Sequence, residues 1–248
     1  MNVKIYGIQK LTLLDFPGHL AAVLFLGGCS FRCPFCQNGP LVLDLSSSDP
    51  LDPEEVFSFL RKRAGILEGV CVSGGEPTLH RDLPLLFQKL KDMGYLTKLD
   101  TNGTNPEMLG ELLRENLLDY AAMDIKGGRK NYLKIAGLEN PGGEALLKKV
   151  FQSARLLIES RIDFEFRTTA VKGLHTEEDF LDIIQWLSGD FPYYLQTFQD
   201  CEGVLQKNHS FRAFSYEEME RFRSLVRKKI PRVQLRGIEE NKKNSLQI

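Results

Sequence analysis

Apolar runs alternate with amphipathic stretches along most of the chain. Six runs have the length and apolar content of buried strands, and helical patterns lie between them. The strand-like runs are 21–27, 69–73, 96–100, 120–125, 164–171 and 193–198. Regular alternation of this kind is typical of strand–helix units on a parallel sheet. The pattern therefore predicts an α/β fold that forms a barrel or part of one.

Capping residues mark where several helices begin. Helical patterns follow Asp52 and Asn105, each of which precedes a proline, and Thr176, which precedes two glutamates. The predicted helices are 53–64, 83–93, 106–116, one that begins after Thr176 and carries Trp186, and 215–229. The segment 44–52 is the most loop-like insertion, and 239–248 is expected to fray.

The chain has 248 residues and 42% hydrophobic content, which is enough for one large α/β domain with a substantial core. We expect a single domain over 1–248. Its core is expected to span about 20–200. An N-terminal extension over 1–19 and a C-terminal helix and tail over 212–248 complete the predicted organisation.

Charge and cysteine content indicate which partners and which cellular location to expect. Thirty-two basic and 33 acidic side chains give a net charge of −1, so the balance indicates no nucleic-acid partner. No apolar stretch is long enough to span a bilayer, and no membrane partner is expected. The run at 20–29 resembles a lipoprotein cleavage site, but it is short and lacks the expected upstream residues. Five cysteines, three of them in one loop, favour a reducing, cytoplasmic location.

The most specific chemistry lies at the carboxyl ends of the predicted strands, where the reactive site of such a barrel forms. The first strand runs into Cys29, Cys33 and Cys36. The second ends in "SGGEP", the third in "DTNG" and the fourth in "MDIK". Because these motifs follow successive strands, they indicate one shared site.

Three closely spaced thiols can hold an iron–sulfur cluster in which one iron lacks a protein ligand, leaving a position open for chemistry. Two other interpretations stay open from the residues alone. The dithiol at 33–36 resembles a glutaredoxin pair, although such a pair would need neither Cys29 nor the other motifs. A zinc knuckle would need a fourth ligand. The histidines are scattered singly, as His19, His80, His175 and His209.

Together these motifs resemble those of radical S-adenosylmethionine (radical SAM) enzymes, specifically the glycyl-radical-enzyme activating proteins. The resemblance covers most of the chain, and the cysteine loop with "GGEP" is specific for the superfamily. The segments "LLDFPG", "DTNG", "MDIK" and "RTTAVKGLH" are most similar to the longer anaerobic ribonucleoside-triphosphate reductase activating proteins. The resemblance implies a partial (β/α)6 TIM-like barrel of the radical SAM type.

The resemblance implies one four-iron four-sulfur (4Fe-4S) cluster held by Cys29, Cys33 and Cys36. SAM would bind the iron that lacks a protein ligand through its amino and carboxylate groups. Phe35 falls at the aromatic position beside the adenine.

Further SAM contacts are implied at the ends of later strands. Gly74, Gly75 and Glu76 match the segment that holds the methionyl amino group, and Arg167 matches a position near the SAM carboxylate or ribose. Glycines in such a loop allow close approach of the backbone to a ligand. We therefore expect a bulky residue at Gly75 to weaken SAM binding and to spare the cluster.

A monovalent cation near SAM is also implied. Asp100, Thr101 and Asp124 fall where pyruvate formate-lyase activating enzymes bind this cation, and Asn102 and Lys126 lie in the same two motifs. From the residue types alone, the two aspartates and Lys126 could equally form a structural ion pair across neighbouring strands.

The implied reaction is that of an activase. Flavodoxin or ferredoxin reduces the cluster, SAM is cleaved to methionine and a 5′-deoxyadenosyl radical, and this radical removes a Cα hydrogen from a glycine of a partner enzyme. No side chain acts as general acid or base, so no catalytic residue is assigned. The favoured glycyl radical enzyme is anaerobic ribonucleotide reductase, because Gln196 lies nearest the position where formate-lyase activators have a histidine.

Other functions stay open. The chain could activate pyruvate formate-lyase or another glycyl radical enzyme, or act on a small molecule or peptide. It could also bind SAM as a scaffold or cluster sensor without cleaving it. Cys71 lies inside a predicted strand and Cys201 follows the last one, so both are expected to be core or loop residues rather than ligands.

Overall fold

The strands form one sheet whose spatial order follows the chain. The computed structural model describes residues 1–43, 45–47, 49–138, 142–208 and 210–239. The strands are β1 (Ile5–Thr12), β2 (Ala21–Leu26), β3 (Gly69–Gly74), β4 (Leu96–Thr101), β5 (Tyr120–Asp124), β6 (Asp163–Ala170), β7 (Tyr193–Thr197) and β8 (Val233–Arg236). Strands β2 to β7 pair in parallel with their sequence neighbours, which confirms the predicted α/β fold as a partial barrel.

All six predicted strands are confirmed, and their ends differ from the predicted ends by one residue at most. Their burial explains why the pattern was clear. Five of the six residues of β2 and four of the six residues of β3 are buried, so both faces of these strands are apolar. A strand covered on both faces reads as a continuous apolar run.

Helices connect the parallel strands. They are α1 (Gly39–Leu43), α2 (Pro53–Arg63), α3 (Leu83–Asp92), α4 (Pro106–Arg114), α5 (Tyr132–Ile135), α6 (Gly143–Glu159), α7 (Glu177–Trp186) and α8 (Tyr216–Val226). The predicted caps form, because Asp52 accepts from the N–H of Glu54 and Asn105 accepts from that of Met108. The predicted helix boundaries are confirmed to within three residues.

Two edge strands were not predicted. β1 lies within the predicted N-terminal extension and pairs antiparallel with β2, and β8 lies in the predicted C-terminal tail and pairs in parallel with β7. β1 exposes three consecutive residues and β8 has only four residues, so neither shows the apolar run of a buried strand. No pairing joins β1 to β8 in the described part of the chain, so the sheet stays open there.

The predicted loop at 44–52 is partly ordered. A short 3-10 helix covers Leu45–Ser47, and the N–H of Leu51 donates to the carbonyl of Ile5 at 2.7 Å. Residues 44 and 48 lie outside the described residues, as does the predicted frayed tail beyond Glu239. None of the described helices is long and apolar enough to cross a membrane.

An ion pair between a buried carboxylate on β6 and a partly exposed guanidinium on β8 joins the two strands. The Glu165 carboxylate on β6 is buried and accepts two hydrogen bonds from the Arg236 guanidinium, at 2.8 and 3.0 Å. Tyr120 on β5 donates to the same carboxylate at 3.0 Å, and the guanidinium lies 3.6 Å from the ring centroid of Tyr194. Bidentate pairs of this kind are among the stronger side-chain hydrogen bonds.

We predict that Arg236→Ala lowers the free energy of unfolding by about 3 kcal/mol, because it leaves the Glu165 carboxylate buried with one hydroxyl partner. Urea denaturation followed by circular dichroism measures this change. Arg155→Ala is the matched control, because Arg155 pairs with Glu159 on the exposed surface of α6. We expect its loss to cost about 0.5 kcal/mol or less. Equal losses for the two variants would contradict the role given to Arg236.

Candidate functional site

A cavity opens at the carboxyl ends of the parallel strands, the edge where the reactive site of such a barrel is expected. Its empty space measures about 910 Å³ when the open mouth is included. Its lining residues are Cys29, Phe31, Cys33, Phe35, Cys36, Gln37, Asn38, Val42, Ser73, Gly74, Gly75, Asp100, Thr101, Asn102, Asp124, Lys126, Arg167 and Thr169. We refer to it as the site cavity.

The structure brings most of the predicted site residues together. Twelve of the thirteen line the site cavity, and Glu76 is the exception. Six lining residues were not predicted: Phe31, Gln37, Asn38, Val42, Ser73 and Thr169. They follow or precede the predicted motifs by a few positions. Only the alternation of inward positions on a strand could have indicated Ser73 and Thr169.

The three cysteines of the loop after β2 carry free thiols that face the site cavity. Burial raises the pKa of the Cys29 thiol to about 11 and that of the Cys33 thiol to about 12, and the Lys126 ammonium opposes this effect. A buried thiolate needs a compensating positive centre. The thiols are therefore suited to ionise together with the binding of metal.

Backbone hydrogen bonds from distant segments hold the cysteine loop. On one side, the N–H groups of Leu205 and Gln206 donate to the carbonyls of Cys36 and Pro34, both at 2.9 Å. On the other side, the N–H of Arg32 donates to the carbonyl of Ala136 at 2.9 Å. The supporting residues Leu205, Gln206 and Ala136 lie outside the motifs and use backbone groups, so their residue types carry no signal of this role.

Asn102 positions the first cysteine. Its side-chain oxygen accepts from the N–H and the hydroxyl of Thr104, at 3.0 and 2.8 Å, which directs its NH₂ group the opposite way. That NH₂ group donates to the hydroxyl of Ser30 at 3.1 Å and to the sulfur of Cys29 at 3.6 Å. Hydrogen bonds to a ligating sulfur tune an iron–sulfur centre, so Asn102 is placed to affect such a centre through Cys29.

The glycines of "SGGEP" attach this loop to the cysteine loop. The N–H of Gly75 donates to the carbonyl of Leu26 at 2.8 Å, and the N–H of Glu76 donates to the carbonyl of Gly28 at 2.7 Å. Gly74 has a φ of +112°, which favours glycine. A Cβ atom on Gly75 would lie 1.9 Å from the carbonyl oxygen of Gly28. Any residue larger than glycine at position 75 would therefore clash with the backbone of Gly28.

Glu76 points away from the site cavity and into the protein. Its buried carboxylate accepts from the N–H and hydroxyl of Thr78, at 3.1 and 2.6 Å, and from the hydroxyl of Thr101 at 2.7 Å. The other oxygen accepts from the N–H of Asn102 at 2.6 Å. Burial raises the pKa of Glu76, and these four donors oppose the rise. Glu76 thus clamps the loops after β3 and β4 together.

Charged side chains form the floor of the site cavity. Arg167 donates to Asp124 at 2.9 Å and lies 3.6 Å from Asp100, while Lys126 donates to Asp124 at 3.0 Å. Burial alone would raise the pKa of both aspartates, but Arg167 acts together with Lys98 at Asp100 and with Lys126 at Asp124. These cations jointly outweigh burial, so both pKa values lie below the ordinary range. The ion pair considered from the sequence thus forms between Lys126 and Asp124, whereas Asp100 pairs with Lys98 on its own strand instead of with Lys126.

The remaining histidines and cysteines considered as metal ligands do not line the site cavity where the structure describes them. His175 is buried, where burial lowers its pKa, and its ring bonds the carbonyl of Lys126. Cys71 is buried within β3, as expected, and Cys201 is exposed in the segment after β7. His209 lies outside the described residues. Within the described ranges, no group of three His, Cys, Asp or Glu side chains is arranged around a single ion position.

Comparison with known proteins identifies the family. The sequence profile of the Radical SAM superfamily matches residues 23–187, about two thirds of the chain. The chain belongs to the radical SAM superfamily. A protein of Methanocaldococcus jannaschii, provisionally named a glycyl-radical enzyme activating enzyme, is 30% identical over 242 residues, which cover 96% of this chain and 98% of that protein.

Two further relatives extend the comparison. A pyruvate formate-lyase-activating enzyme of Listeria monocytogenes is 30% identical over 133 residues, which cover 50% of this chain and 53% of that enzyme. The crystal structure of a radical SAM methyltransferase from Sphaerobacter thermophilus superposes with a TM-score of 0.68 at 17% identity. That match covers 91% of this chain and 68% of the methyltransferase, and it shows the shared fold.

Membership of the superfamily implies a 4Fe-4S cluster and SAM, and the donor set fits both. Three free thiols on one loop are soft ligands of the kind that hold iron–sulfur clusters. The cavity above them combines the apolar ring of Phe35 with the positive charges of Lys126 and Arg167, which suits a ligand that carries both an aromatic base and a carboxylate.

The sequence led us to expect that a bulky residue at Gly75 would weaken SAM binding and spare the cluster. The close contact between Gly75 and Gly28 changes this expectation. We predict that Gly75→Ala reduces cluster binding as well as SAM binding, because the added Cβ would displace Gly28 beside Cys29. Iron bound per protein after anaerobic reconstitution measures this effect. Gly110→Ala in α4 is the control. The nearest atom to its added Cβ is the flexible end of the Arg114 side chain, at 3.3 Å, and the next is a methyl group of Leu156, at 3.8 Å. A Gly75→Ala variant with a full iron content would contradict this account.

Proposed function

We propose that this chain is an activating enzyme that installs a glycyl radical on a partner enzyme. The similarity to the Methanocaldococcus jannaschii protein carries the proposal, because it extends over nearly the whole length of both chains. The shorter similarity to a pyruvate formate-lyase-activating enzyme supports the same reaction class. The proposed unit is a single radical SAM domain that acts in the cytoplasm.

A bound cluster would supply one electron for the cleavage of SAM to methionine and a 5′-deoxyadenosyl radical. That radical would take a Cα hydrogen from a glycine of the partner and leave as 5′-deoxyadenosine. Cys29, Cys33 and Cys36 would hold the cluster. Gly74 and Gly75 would bring the backbone close to the methionyl group. The residues of this chain bind, orient and exclude water, and none of them is asked to transfer a proton.

The wall and floor of the cavity suit these roles. Phe35 is buried beside the cysteines and supplies an apolar surface for a base, with the Lys126 ammonium 6.0 Å from its ring centroid. Arg167 is fixed by both Asp100 and Asp124, so its guanidinium is held in place before a ligand binds. Preorganised positive charge of this kind favours a carboxylate at the cavity floor.

The open side of the barrel suits a macromolecular substrate. The sheet ends at β1 on one edge and at β8 on the other, without a pairing between them in the described residues. A glycine-bearing loop of a partner could reach the cavity from the top or through this lateral gap. Such a loop must leave its own fold, so we expect the complex to be weak and transient.

Within this reaction class, we favour anaerobic ribonucleotide reductase as the partner. The support is the resemblance of "LLDFPG", "DTNG", "MDIK" and "RTTAVKGLH" to its activating proteins. In addition, Gln196 is the residue nearest the position where formate-lyase activators have a histidine. Pyruvate formate-lyase is the second candidate, because a listerial activating enzyme matches half of this chain. Flavodoxin or ferredoxin is the proposed electron donor.

We predict that the reduced protein, mixed with SAM and the anaerobic ribonucleotide reductase of the same organism, produces a glycyl radical detected by electron paramagnetic resonance. Reductase in which the radical glycine is replaced by alanine should give no signal. A signal on a formate-lyase-type enzyme, with none on the reductase, would retain the activase reaction and reject this partner. Absence of a signal from every glycyl radical enzyme, despite SAM cleavage, would reject the activase function.

A further inference from the structure

Lys98 is a lysine in the barrel interior whose side chain is only 1% exposed. It lies on β4 and points to the same face of the sheet as Asp100, with which its ammonium forms an ion pair. Its ammonium also lies 3.7 Å from the sulfur of Cys71 on the neighbouring strand and 5.8 Å from the ring centroid of Tyr120. Lysine is almost never buried this completely unless it is paired, so the pair with Asp100 accounts for its position.

The oxygens of Asp100 are all engaged by the protein. One oxygen accepts from Lys98 and lies 3.6 Å from the guanidinium of Arg167. The other accepts from the hydroxyl of Ser73 at 3.0 Å. A Na⁺ or K⁺ ion bound at Asp100 would therefore have to share each carboxylate oxygen with a protein donor.

Asp124 is engaged in the same way. One of its oxygens accepts from Nε of Arg167 at 2.9 Å, and the other accepts from the ammonium of Lys126 at 3.0 Å. The two aspartates that the resemblance assigns to a monovalent cation therefore have a protein donor on every carboxylate oxygen. The residues present do not fit an additional cation.

The charge balance leads to the same conclusion. Two carboxylates, Asp100 and Asp124, face three cationic groups, Lys98, Arg167 and Lys126, so this cluster has a net charge of +1. Another cation placed among these groups would be repelled at short range, in a region where burial weakens solvent screening. Arg167 and Lys126 line the site cavity, whereas Lys98 is not among the described residues that line it. Lys98 is therefore the one cation of these three that is not placed to contact a ligand in the site cavity.

We propose that the ammonium of Lys98 replaces the monovalent cation of the related activating enzymes, so that this protein binds SAM without a requirement for Na⁺ or K⁺. Lys98 is a positioning residue in this proposal: it holds Asp100, and through Asp100 it holds Arg167 at the cavity floor. The inference rests on the proposed use of the site cavity for SAM.

The experiment compares potassium chloride, sodium chloride and choline chloride at one ionic strength, using anaerobically reconstituted protein. SAM affinity is measured by equilibrium dialysis with the cluster oxidised, so no cleavage occurs, and the thermal midpoint is measured without SAM. We expect the wild-type protein to give the same affinity and midpoint in all three salts. Choline is too large to bind between carboxylates, so it reports the state without an inorganic cation.

Substitution of Lys98 should create the cation requirement. Lys98→Ala leaves an Asp100 oxygen and space beside it, so we expect its SAM affinity in choline to fall by about tenfold, the effect of one lost charged hydrogen bond. Potassium or sodium should restore most of this loss and raise the thermal midpoint by about 3 °C, as a bound ion stabilises the folded state. Lys98→Met removes the charge but fills the space, so its SAM affinity should fall without recovery.

Lys91→Ala is the control, because Lys91 also pairs with an aspartate, Asp119, but on the partly exposed surface outside the site. It should respond to the three salts as the wild type does. A tenfold or larger loss of wild-type SAM affinity in choline would overturn the proposal. So would a folded Lys98→Ala variant that potassium and sodium leave unchanged.

Two further outcomes also test the proposal: a Lys98→Ala variant that does not fold, and a failure of every variant to bind SAM. If Lys98→Ala does not fold, the wild-type comparison and Lys98→Met decide the question. If no variant binds SAM in any salt, the proposed function of the cavity fails. The midpoints measured without SAM would still test the cation replacement separately.

Discussion

The backbone contact between the loops that follow β2 and β3 is the constraint on which the site depends. Hydrogen bonds of the parallel ladder continue beyond the strands, from Gly75 to Leu26 and from Glu76 to Gly28. The glycines make this approach close enough that no side chain fits between the loops. As a result, the cysteine loop and the "SGGEP" loop form one rigid unit rather than two independent loops. The Glu76 carboxylate extends this unit to Thr101 and Asn102 after β4.

Ion pairs fix the positions of the charged side chains at the floor of the site cavity. The barrel interior contains a chain of paired charges that begins at Lys98 and continues through Asp100, Arg167 and Asp124 to Lys126. Removing one member of a buried charge network leaves an uncompensated charge, so each member constrains its neighbours. The guanidinium and ammonium groups at the cavity floor are therefore fixed in position by the protein itself. A cofactor with a carboxylate finds a positive surface that needs little rearrangement.

The regular part of the fold could be predicted because burial produces periodic sequence. β2 and β3 are apolar on both faces, and capping residues such as Asp52 and Asn105 mark the starts of helices. β1 and β8 could not be predicted, because an edge strand that is partly exposed, or only four residues long, carries little periodicity. Strand-end motifs predicted where the site lies, since parallel strands bring their carboxyl ends to one edge.

The directions of individual side chains at the site were beyond sequence reasoning. Glu76 belongs to the predicted motif, yet its carboxylate faces the adjacent loop because four donors are available there. Lys98 shares a strand face with Asp100, but nothing in the sequence indicated that it is buried, because its burial depends on how Cys71 of β3 and Tyr120 of β5 pack beside it. The support of the cysteine loop by Leu205 and Gln206 uses backbone groups alone, which leave no trace in residue type.

The cysteine loop, supported by the loops after β3 and β4, is proposed to hold one cluster for the cleavage of SAM. The most direct measurement is the yield of 5′-deoxyadenosine from anaerobically reconstituted protein with dithionite and SAM, together with the iron content. The account predicts about four irons and 5′-deoxyadenosine for the wild type, Cys71→Ala and Cys201→Ala, and neither for alanine variants of Cys29, Cys33 or Cys36. Equal cluster loss in Cys71→Ala, or tight SAM binding by the reduced protein without cleavage, would contradict it.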